Sequence, residues 1–279
     1  MSPVLEARGV TKRFGGITAV DNVSFQLEPQ GVLGVVGPNG AGKTALLNCL
    51  SGVYSLDGGS VHFAGAPIHR LRPHAIAALG IARTFQSTEH LADMTALEYL
   101  LTGVTRRQEV LWLEYGLRLP SAIRAERAER VRAADALERV GLGGYLGMRL
   151  RDMPYGVQKQ VDVARVIASG AQVALLDEPT SGTNARDRTD VESTILRLRD
   201  QGVAMIIIDH DVGFVRGVCE DLIVMDRGAV IAHGDPGAVL QLPEVQEAYL
   251  GVTLNLTSHD ALDGDGMDGR ADTASDGPG

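Results

Sequence analysis

The sequence predicts an α/β fold built around a mostly parallel sheet. Three observations support this prediction: an apolar run that leads into a glycine-rich loop, further short apolar runs typical of buried strands, and helical patterns between them. Strands that alternate with helices usually form a parallel sheet, because the crossover helices cover its faces. With 279 residues, the chain is long enough for one large domain, or for two small lobes, with a substantial core.

The N-terminal part of the chain alternates apolar and polar residues in the manner of strands. The alternation covers residues 3–36 and is clearest in Val4–Ala7 and Val20–Leu27. Ser60–Ala64 is predicted to form another short strand, and we interpret the preceding Asp57–Gly59 as a turn.

The loop after the apolar run Val32–Val36 fits the phosphate-loop pattern, and a helical pattern follows it from Ala45 onward. The loop residues are Gly37, Pro38, Asn39, Gly40, Ala41, Gly42, Lys43 and Thr44. Its backbone N–H groups can turn toward a polyphosphate, and the helix N-terminus adds a partial positive charge. The alternative, a glycine-rich turn with an incidental lysine, does not account for the flanking strand and helix. We therefore predict nucleotide binding, with Lys43 on the β- and γ-phosphates and Thr44 on Mg²⁺.

The middle of the chain, from about Arg72 to Arg151, has a helical pattern rich in Ala, Arg, Leu and Glu. Within it, Ala122–Val140 is predicted to be an amphipathic helix whose arginines form a solvated face. Three apolar runs then predict buried strands, at Val173–Leu176, Ala204–Ile208 and Leu222–Met225. The last of them precedes a turn at Asp226–Gly228.

Polar residues at the ends of two of these strands are candidates for chemistry. Asp177 and Glu178 follow the first run. An Asp at this place in phosphate-loop ATPases holds Mg²⁺ through its water shell, and the next Glu can orient or deprotonate an attacking water. The alternative is an ordinary solvated acidic pair, but the phosphate loop in the same chain favours functional roles for both residues. His210 follows the second run, where ligands bind in open α/β sheets, so it is predicted to hydrogen-bond the γ-phosphate.

Two further candidates remain open from the residues alone. Gln86 lies between the strand-rich and helical segments and could bridge Mg²⁺, water and backbone without titrating. Phe14 either stacks on adenine or packs as a satellite core aromatic.

Bulk properties exclude several classes of protein. The net charge of −9 and the pI near 5.3 do not indicate a nucleic-acid-binding surface. Cys49 and Cys219 are too few for a disulfide framework, so a reducing cytoplasm is expected. The N-terminus lacks a secretory apolar region, and no apolar stretch approaches the roughly 20 residues of a membrane span. We therefore expect any membrane role to depend on a partner.

The last segment, 252–279, contains six Asp and one Arg and has no aromatic residue. Such a composition cannot bury enough apolar area to offset its ordering entropy. It is predicted to be a disordered acidic tail, with an acidic interaction tail as the alternative.

The order of these elements resembles the ATP-binding subunits of ABC transporters, from about Val4 to Gly251. The segment Pro154–Arg165, just before the strand that ends at Asp177, occupies the place of the family's signature. The resemblance implies an ABC ATPase domain over 1–251. This domain would have an antiparallel β subdomain and a helical subdomain at about 88–152.

The resemblance also implies roles for individual residues. Phe14 would be the adenine-stacking aromatic and Gln86 the Q-loop residue, with a contact to the metal. Glu178 would be the catalytic base, Ser181–Asn184 the D-loop and His210 the switch histidine. Four signature residues would complete the ATP site of a second ATPase subunit in a head-to-tail dimer: Pro154, Tyr155, Gly156 and Gln158.

The implied partners are that second ATPase subunit and two transmembrane permeases, contacted near Glu89–Leu101. A periplasmic or lipid-anchored substrate-binding protein would act through the permeases. The chain would then be a peripheral protein on the cytoplasmic face of the membrane.

Finer features resemble the branch that serves branched-chain amino acid importers: Arg13–Gly16, Gly80–Gln86 and Pro243–Gly251. Closely similar subunits serve urea and short-amide importers, so these substrates remain alternatives. A non-transport ABC ATPase is a further alternative, but such chains usually carry tandem halves or coiled-coil insertions. A regulatory switch with little turnover is disfavoured by the intact Glu178 and His210.

Three residues depart from the general family pattern, and one of them is Tyr155, which replaces the first glycine of the signature, as is common in this branch. Pro154 stands where the signature usually has Ser, and proline offers neither a hydroxyl nor an N–H. Asn184 stands where the D-loop usually has Asp. The ATP site completed by this chain's signature should therefore be the poorer of the two. We hypothesise an asymmetric heterodimer, in which ATP on this chain is hydrolysed against a partner's full signature.

Overall fold

The computed structural model describes residues 2–84, 91–104 and 119–248, which form two sheets flanked by helices. The strands are β1 (Leu5–Phe14), β2 (Ile17–Leu27), β3 (Val32–Val36), β4 (Gly58–Phe63), β5 (Ala66–Pro67), β6 (Ile81–Arg83), β7 (Val173–Asp177), β8 (Ala204–Ile208), β9 (Asp221–Asp226) and β10 (Ala229–Gly234). The helices are α1 (Lys43–Leu50), α2 (Pro73–Leu79), α3 (Ala96–Gly103), α4 (Pro120–Arg139), α5 (Tyr155–Ser169), α6 (Ala185–Asp200), α7 (Val212–Val218) and α8 (Pro236–Val239). Residues 243–248 are also helical.

The core sheet has the strand order β10-β9-β3-β8-β7-β6. Its strands are parallel except for β10, which pairs antiparallel with β9 across a tight turn. Every residue of β3, β7 and β8 is buried, as expected for strands covered on both faces. The predicted α/β fold with a mostly parallel core sheet is confirmed, and so are the buried strands predicted in it.

The second sheet is the antiparallel β subdomain, with the order β2-β1-β4-β5. The turn predicted at Asp57–Gly59 is wrong in part, because Gly58 and Gly59 begin β4. An ideal Cβ at Gly59 would lie 2.2 Å from the carbonyl oxygen of Gly9. The glycine is therefore needed for the close approach of β1 and β4 rather than for a turn.

The helical pattern predicted from about Arg72 to Arg151 is interrupted by a strand. The three residues of β6 pair in parallel with β7, with Ile81 opposite Val173. Gly80 ends α2 in a left-handed conformation, with φ of 114°, which separates the helix from the strand. A strand of three residues is too short to show a periodicity of its own.

The helical subdomain has its own apolar cluster, formed mainly by α3, α4 and α5. Tyr99, Leu100 and Leu137 are completely buried there. The predicted amphipathic helix at Ala122–Val140 corresponds to α4, and its arginines lie on the exposed side. The limits of the subdomain at about 88–152 stay a prediction.

Two predictions fall on parts of the chain for which no structure is described. One is the assignment of Gln86, and the other is the acidic tail at 252–279. Over the described ranges, no helix has the length and apolarity that crossing a membrane requires.

Candidate functional site

The phosphate loop connects β3 to α1 at the carboxyl end of the core sheet. It has no room for a side chain at Gly37, where an ideal Cβ would lie 2.1 Å from the Met225 carbonyl oxygen. Gly42 caps the N-terminus of α1 without a side-chain hydrogen bond, and the first turn of α1 has no acidic residue. The N–H groups and the dipole of this turn are therefore available to an anion.

Lys43 lies folded over the loop that precedes it. Its Nζ donates to the carbonyl oxygens of Gly37 at 2.7 Å and Pro38 at 2.9 Å. Burial lowers the pKa of Lys43, and the nearby Glu178 and Asp177 carboxylates partly oppose this shift. The lysine ammonium, the loop, the predicted metal ligand Asp177 and the predicted catalytic Glu178 thus lie together.

Asp177 is buried at the end of β7, and one of its two carboxylate oxygens lacks a partner. Its Oδ2 accepts a hydrogen bond from Arg83 Nη2 at 2.9 Å. Its N–H donates to Thr84 Oγ1 at 3.0 Å. Its Oδ1 is buried and has no hydrogen-bond partner within the described structure. A buried carboxylate oxygen without a partner is costly, so the site fits a hydrated cation.

A cation at this place would depend on the nucleotide. The described residues contain no cluster of three or more His, Cys, Asp or Glu side chains that could hold a metal ion. Mg²⁺ is commonly bound by one or two protein oxygens together with substrate phosphates and waters. Asp177 and Thr44, the second residue of α1, are the protein groups here that suit this mode.

Glu178 adopts an unusual backbone conformation beside Asp177. Its φ of 50° is in the left-handed region, and its N–H donates to the Ile208 carbonyl oxygen at 2.7 Å. Left-handed backbone is uncommon for a non-glycine residue and is often found at functional sites. The hydrogen bond ties Glu178 to the end of β8, while its side chain remains exposed.

Asp209 contacts both Thr180 and His210 at this edge of the sheet, although no role was predicted for it from the sequence. Its Oδ2 accepts hydrogen bonds from Thr180 Oγ1 at 2.6 Å and from the Thr180 N–H at 3.1 Å. Its Oδ1 lies 3.7 Å from His210 Nδ1, and the His210 side chain is 67% exposed. Asp209 therefore joins the segment after Glu178 to the predicted γ-phosphate sensor. An acidic residue at the end of an apolar strand was the available sequence signal.

Phe14 lies at the end of β1 and is 44% exposed. Tyr54 meets its ring edge-on, with 5.0 Å between the ring centroids. Lys12 Nζ lies 5.2 Å from the centre of the same ring and pairs with Asp57 at 3.2 Å. A supported but exposed aromatic ring suits stacking on a base better than it suits a core position. The adenine contact stays a prediction.

The predicted signature begins α5 and contacts the predicted D-loop. Pro154 is the N-cap of α5 and provides no side-chain hydrogen bond. Tyr155 is 48% exposed, and an ideal Cβ at Gly182 would lie 3.0 Å from its ring. Gln158 Nε2 donates to the Met153 carbonyl oxygen at 3.0 Å.

Asn184 is the N-cap of α6, and its Oδ1 accepts hydrogen bonds from the N–H groups of Arg186 and Asp187. An Asn in place of the usual D-loop Asp thus has a local capping role. Among the hydrogen bonds of the described residues, none joins the segment 154–158 to the chain's own phosphate loop. The structure therefore brings together Lys43, Asp177 and Glu178 around the loop and leaves the signature outside this group.

Comparisons with known proteins identify close similarities over most of the chain. The ABC transporter family profile matches residues 20–181. BraF of Pseudomonas aeruginosa, a high-affinity branched-chain amino acid transport ATP-binding protein, is 36% identical over 250 residues, which cover 89% of this chain and 98% of BraF. LivG of Escherichia coli strain K12, described in the same words, is 34% identical over 250 residues, with the same coverage of 89% and 98%.

Two solved structures are similar in fold and in sequence. A nucleotide-free ATP-binding cassette from an ABC transporter superposes with a TM-score of 0.79 at 29% identity, covering 88% of this chain and 98% of that one. A cassette of an ABC transporter in its ADP conformation gives a TM-score of 0.78 at 27% identity, covering 90% and 100% respectively.

Proposed function

Because the chain belongs to the ABC transporter family, we propose that it binds and hydrolyses ATP to drive an importer of branched-chain amino acids. The observation that carries the ATPase assignment is the grouping of Lys43, Asp177 and Glu178 around an open helix N-terminus. The names of BraF and LivG, which match 89% of the chain, support the choice of substrate.

The reaction is the transfer of the γ-phosphoryl group of ATP to water. Water attacks the γ-phosphorus, the bond to the bridging oxygen breaks, and ADP and inorganic phosphate are released. Glu178 accepts the proton of the attacking water, and Lys43 exchanges its two carbonyl partners for phosphate oxygens. Thr44, Asp177 and Gln86 would hold Mg²⁺, which would neutralise further phosphate charge when bound. His210 hydrogen-bonds the γ-phosphate and responds to its loss.

Two further contacts complete the proposed site, one with the nucleotide base and one with a second ATPase subunit. Phe14 stacks on adenine, and the loop residues Gly37–Thr44 surround the phosphates. Pro154, Tyr155, Gly156 and Gln158 face the ATP that is bound to a second ATPase subunit. Because Pro154 lacks a donor, the ATP held by this chain is the one that turns over against a full signature in a heterodimer.

The remaining partners are two membrane permeases, through which a substrate-binding protein delivers the amino acid. The chain is then peripheral to the cytoplasmic face of the membrane. Substrate recognition belongs to these other proteins, so the test must include them.

The proposal can be tested with the complex that co-purifies with a tagged copy of this chain. After reconstitution into proteoliposomes with its binding protein, ATP hydrolysis and leucine uptake are measured together. Glu178→Gln is expected to abolish both, whereas Glu28→Gln, the same change at an exposed turn, should leave both intact. Urea and a short amide serve as competing substrates, and transport of either one instead of leucine would contradict the substrate assignment.

The asymmetry is tested by changing each subunit's catalytic Glu separately in the same complex. Glu178→Gln is expected to remove most of the ATPase activity. If it leaves the activity untouched while the equivalent change in the other subunit abolishes it, the asymmetry is the reverse of the one proposed.

A further inference from the structure

Arg83 makes a contact with the metal-site carboxylate that the reaction described above does not use. As the last residue of β6, it donates from Nη2 to Asp177 Oδ2 at 2.9 Å. The Asp177 side chain is only 1% exposed, so its charge is removed from water. A buried carboxylate needs a charged or hydrogen-bonding partner, and Arg83 is the cation that pairs with it.

The guanidinium of Arg83 is itself held in place from a second element. Its Nη1 donates to Asn48 Oδ1, and Asn48 lies on α1, the helix that begins with Lys43 and Thr44. Arg83 therefore bridges the phosphate-loop helix and the strand that ends at Asp177. The planar guanidinium can make both contacts at once, which a lysine ammonium cannot do in the same fixed geometry.

The neighbouring residue holds the backbone of Asp177. Thr84 Oγ1 accepts the N–H of Asp177 at 3.0 Å, and the Thr84 N–H donates to the Leu175 carbonyl oxygen at 3.0 Å. One carboxylate oxygen and the backbone of Asp177 are thus fixed by Arg83, the last residue of β6, and by Thr84, which follows it. The other oxygen, Oδ1, is buried and has no partner in the described part of the chain.

A chain of buried and partly buried polar contacts continues from Arg83 into the helical subdomain. The Arg83 carbonyl oxygen accepts a hydrogen bond from Arg165 Nη2. Arg165 Nε lies 3.4 Å from Asp162 Oδ1, and the Tyr99 hydroxyl donates to the same oxygen at 2.6 Å. These contacts connect β6 to α5 and α3, so the position of Arg83 is determined by both subdomains.

We propose that Arg83 is a positioning residue of the metal site. It fixes the Asp177 carboxylate through Oδ2 and leaves Oδ1 as the oxygen for the Mg²⁺ that accompanies ATP. The inference rests on the proposed ATP site. In this role Arg83 acts through its contact with Asp177. Partners that orient a metal ligand in this way typically contribute 10–100-fold, in order of magnitude, to metal affinity.

The experiment measures Mn²⁺ binding to the full chain with ATP, by electron paramagnetic resonance. It also measures the affinity for a fluorescent ATP analogue in excess EDTA. Arg83→Met is expected to weaken Mn²⁺ binding by about tenfold or more, with the metal-free nucleotide affinity within about twofold of wild type. Arg83→Lys should recover part of the Mn²⁺ affinity, because it restores a cation beside Asp177. Arg130→Met, which removes an exposed arginine paired with Glu126, is the control and should change neither quantity.

The second comparison uses two variants, Asp177→Asn alone and Asp177→Asn combined with Arg83→Met. Because Asn is uncharged, removing Arg83 in this background does not leave a buried carboxylate without a partner. In the Asp177→Asn background, Arg83→Met should have no further effect on Mn²⁺ affinity. Mn²⁺ affinity that is unchanged or higher in Arg83→Met would overturn the proposal, because the guanidinium would then only neutralise Asp177. Losses of equal size in the Mn²⁺ affinity and in the metal-free nucleotide affinity would overturn the proposal as well. A wild-type chain that binds no nucleotide in EDTA or with metal would instead refute the ATP site.

Discussion

Replacing Gly156 by alanine is expected to destabilise the junction between α5 and α6. An ideal Cβ at Gly156 would lie 2.4 Å from Asp187 Cγ and 2.5 Å from Asp187 Cβ. Asp187 cannot easily turn away, because Asn184 Nδ2 donates to its Oδ2 at 2.9 Å and Asn184 Oδ1 accepts its N–H at 3.0 Å. The first turns of the two helices would have to separate by about 1 Å to restore ordinary contact distances.

The size of the effect follows from two opposing contributions. Overpacking of this kind costs about 1–3 kcal/mol. The better helix propensity of alanine offsets at most about 1 kcal/mol of it. With the middle of the overpacking range, about 2 kcal/mol, the net loss is about 1–2 kcal/mol. At about 2–3 °C per kcal/mol for a chain of this size, the fall in Tm is roughly 2–6 °C.

Thermal unfolding of the purified chain measures this loss. Gly147→Ala is the control, since an ideal Cβ at Gly147 has no atom within 4 Å. Adding Asp187→Gly to Gly156→Ala removes the clashing atoms, so the double variant should lose less than the sum of the two single losses. A Gly156→Ala variant that melts at or above the temperature of Gly147→Ala would refute the reasoning.

Three further predictions concern binding, pH and thiol reactivity. Lys43→Met should weaken ATP binding by roughly 10–150-fold, since it removes about 1.5–3 kcal/mol of hydrogen bonding to charged phosphates. A Kd for ATP, measured by calorimetry, that lies within about twofold of wild type would contradict this prediction. Hydrogen bonds from Thr95 lower the pKa of Glu98 below its ordinary value of 4.5. The ionised Glu98 should therefore stabilise the fold at neutral pH. This contribution should be lost as the pH falls below 4.5 and through the lower pKa of the folded state. The Tm difference between wild type and Glu98→Gln should therefore close in that range, and a constant difference would exclude this origin. Burial raises the pKa of Cys49 to about 11 and that of Cys219 to about 12. Mass spectrometry should then find both thiols unalkylated at pH 8 in the folded chain and alkylated after unfolding.

Local sequence patterns were sufficient for the parts of the fold whose burial is uniform. Val32–Val36 and Ala204–Ile208 are buried at every position, so they read as continuous apolar runs. The phosphate loop could be predicted because its glycines and its lysine are contiguous. The helix α4 was predictable as well, since twenty residues give its apolar periodicity several turns to repeat.

Features that depend on contacts distant in sequence were not predictable in this way. Gly59 was interpreted as part of a turn. It is needed instead because the carbonyl oxygen of Gly9, in another strand, leaves no space for a side chain. The strand β6 is too short to show a pattern, and it is stabilised by pairing with β7. The roles of Arg83 and Asp209 could not be predicted from the local sequence, because they come from contacts with Asp177 and Thr180 that form only on folding.

The most direct test of the central claim is uptake of labelled leucine, isoleucine and valine by cells that lack this gene. The cells are complemented with wild type, Glu178→Gln or the control Glu28→Gln. We predict that wild type and Glu28→Gln restore uptake and that Glu178→Gln does not. Normal uptake in the uncomplemented cells would contradict the substrate assignment, and full restoration by Glu178→Gln would contradict the catalytic role of this carboxylate.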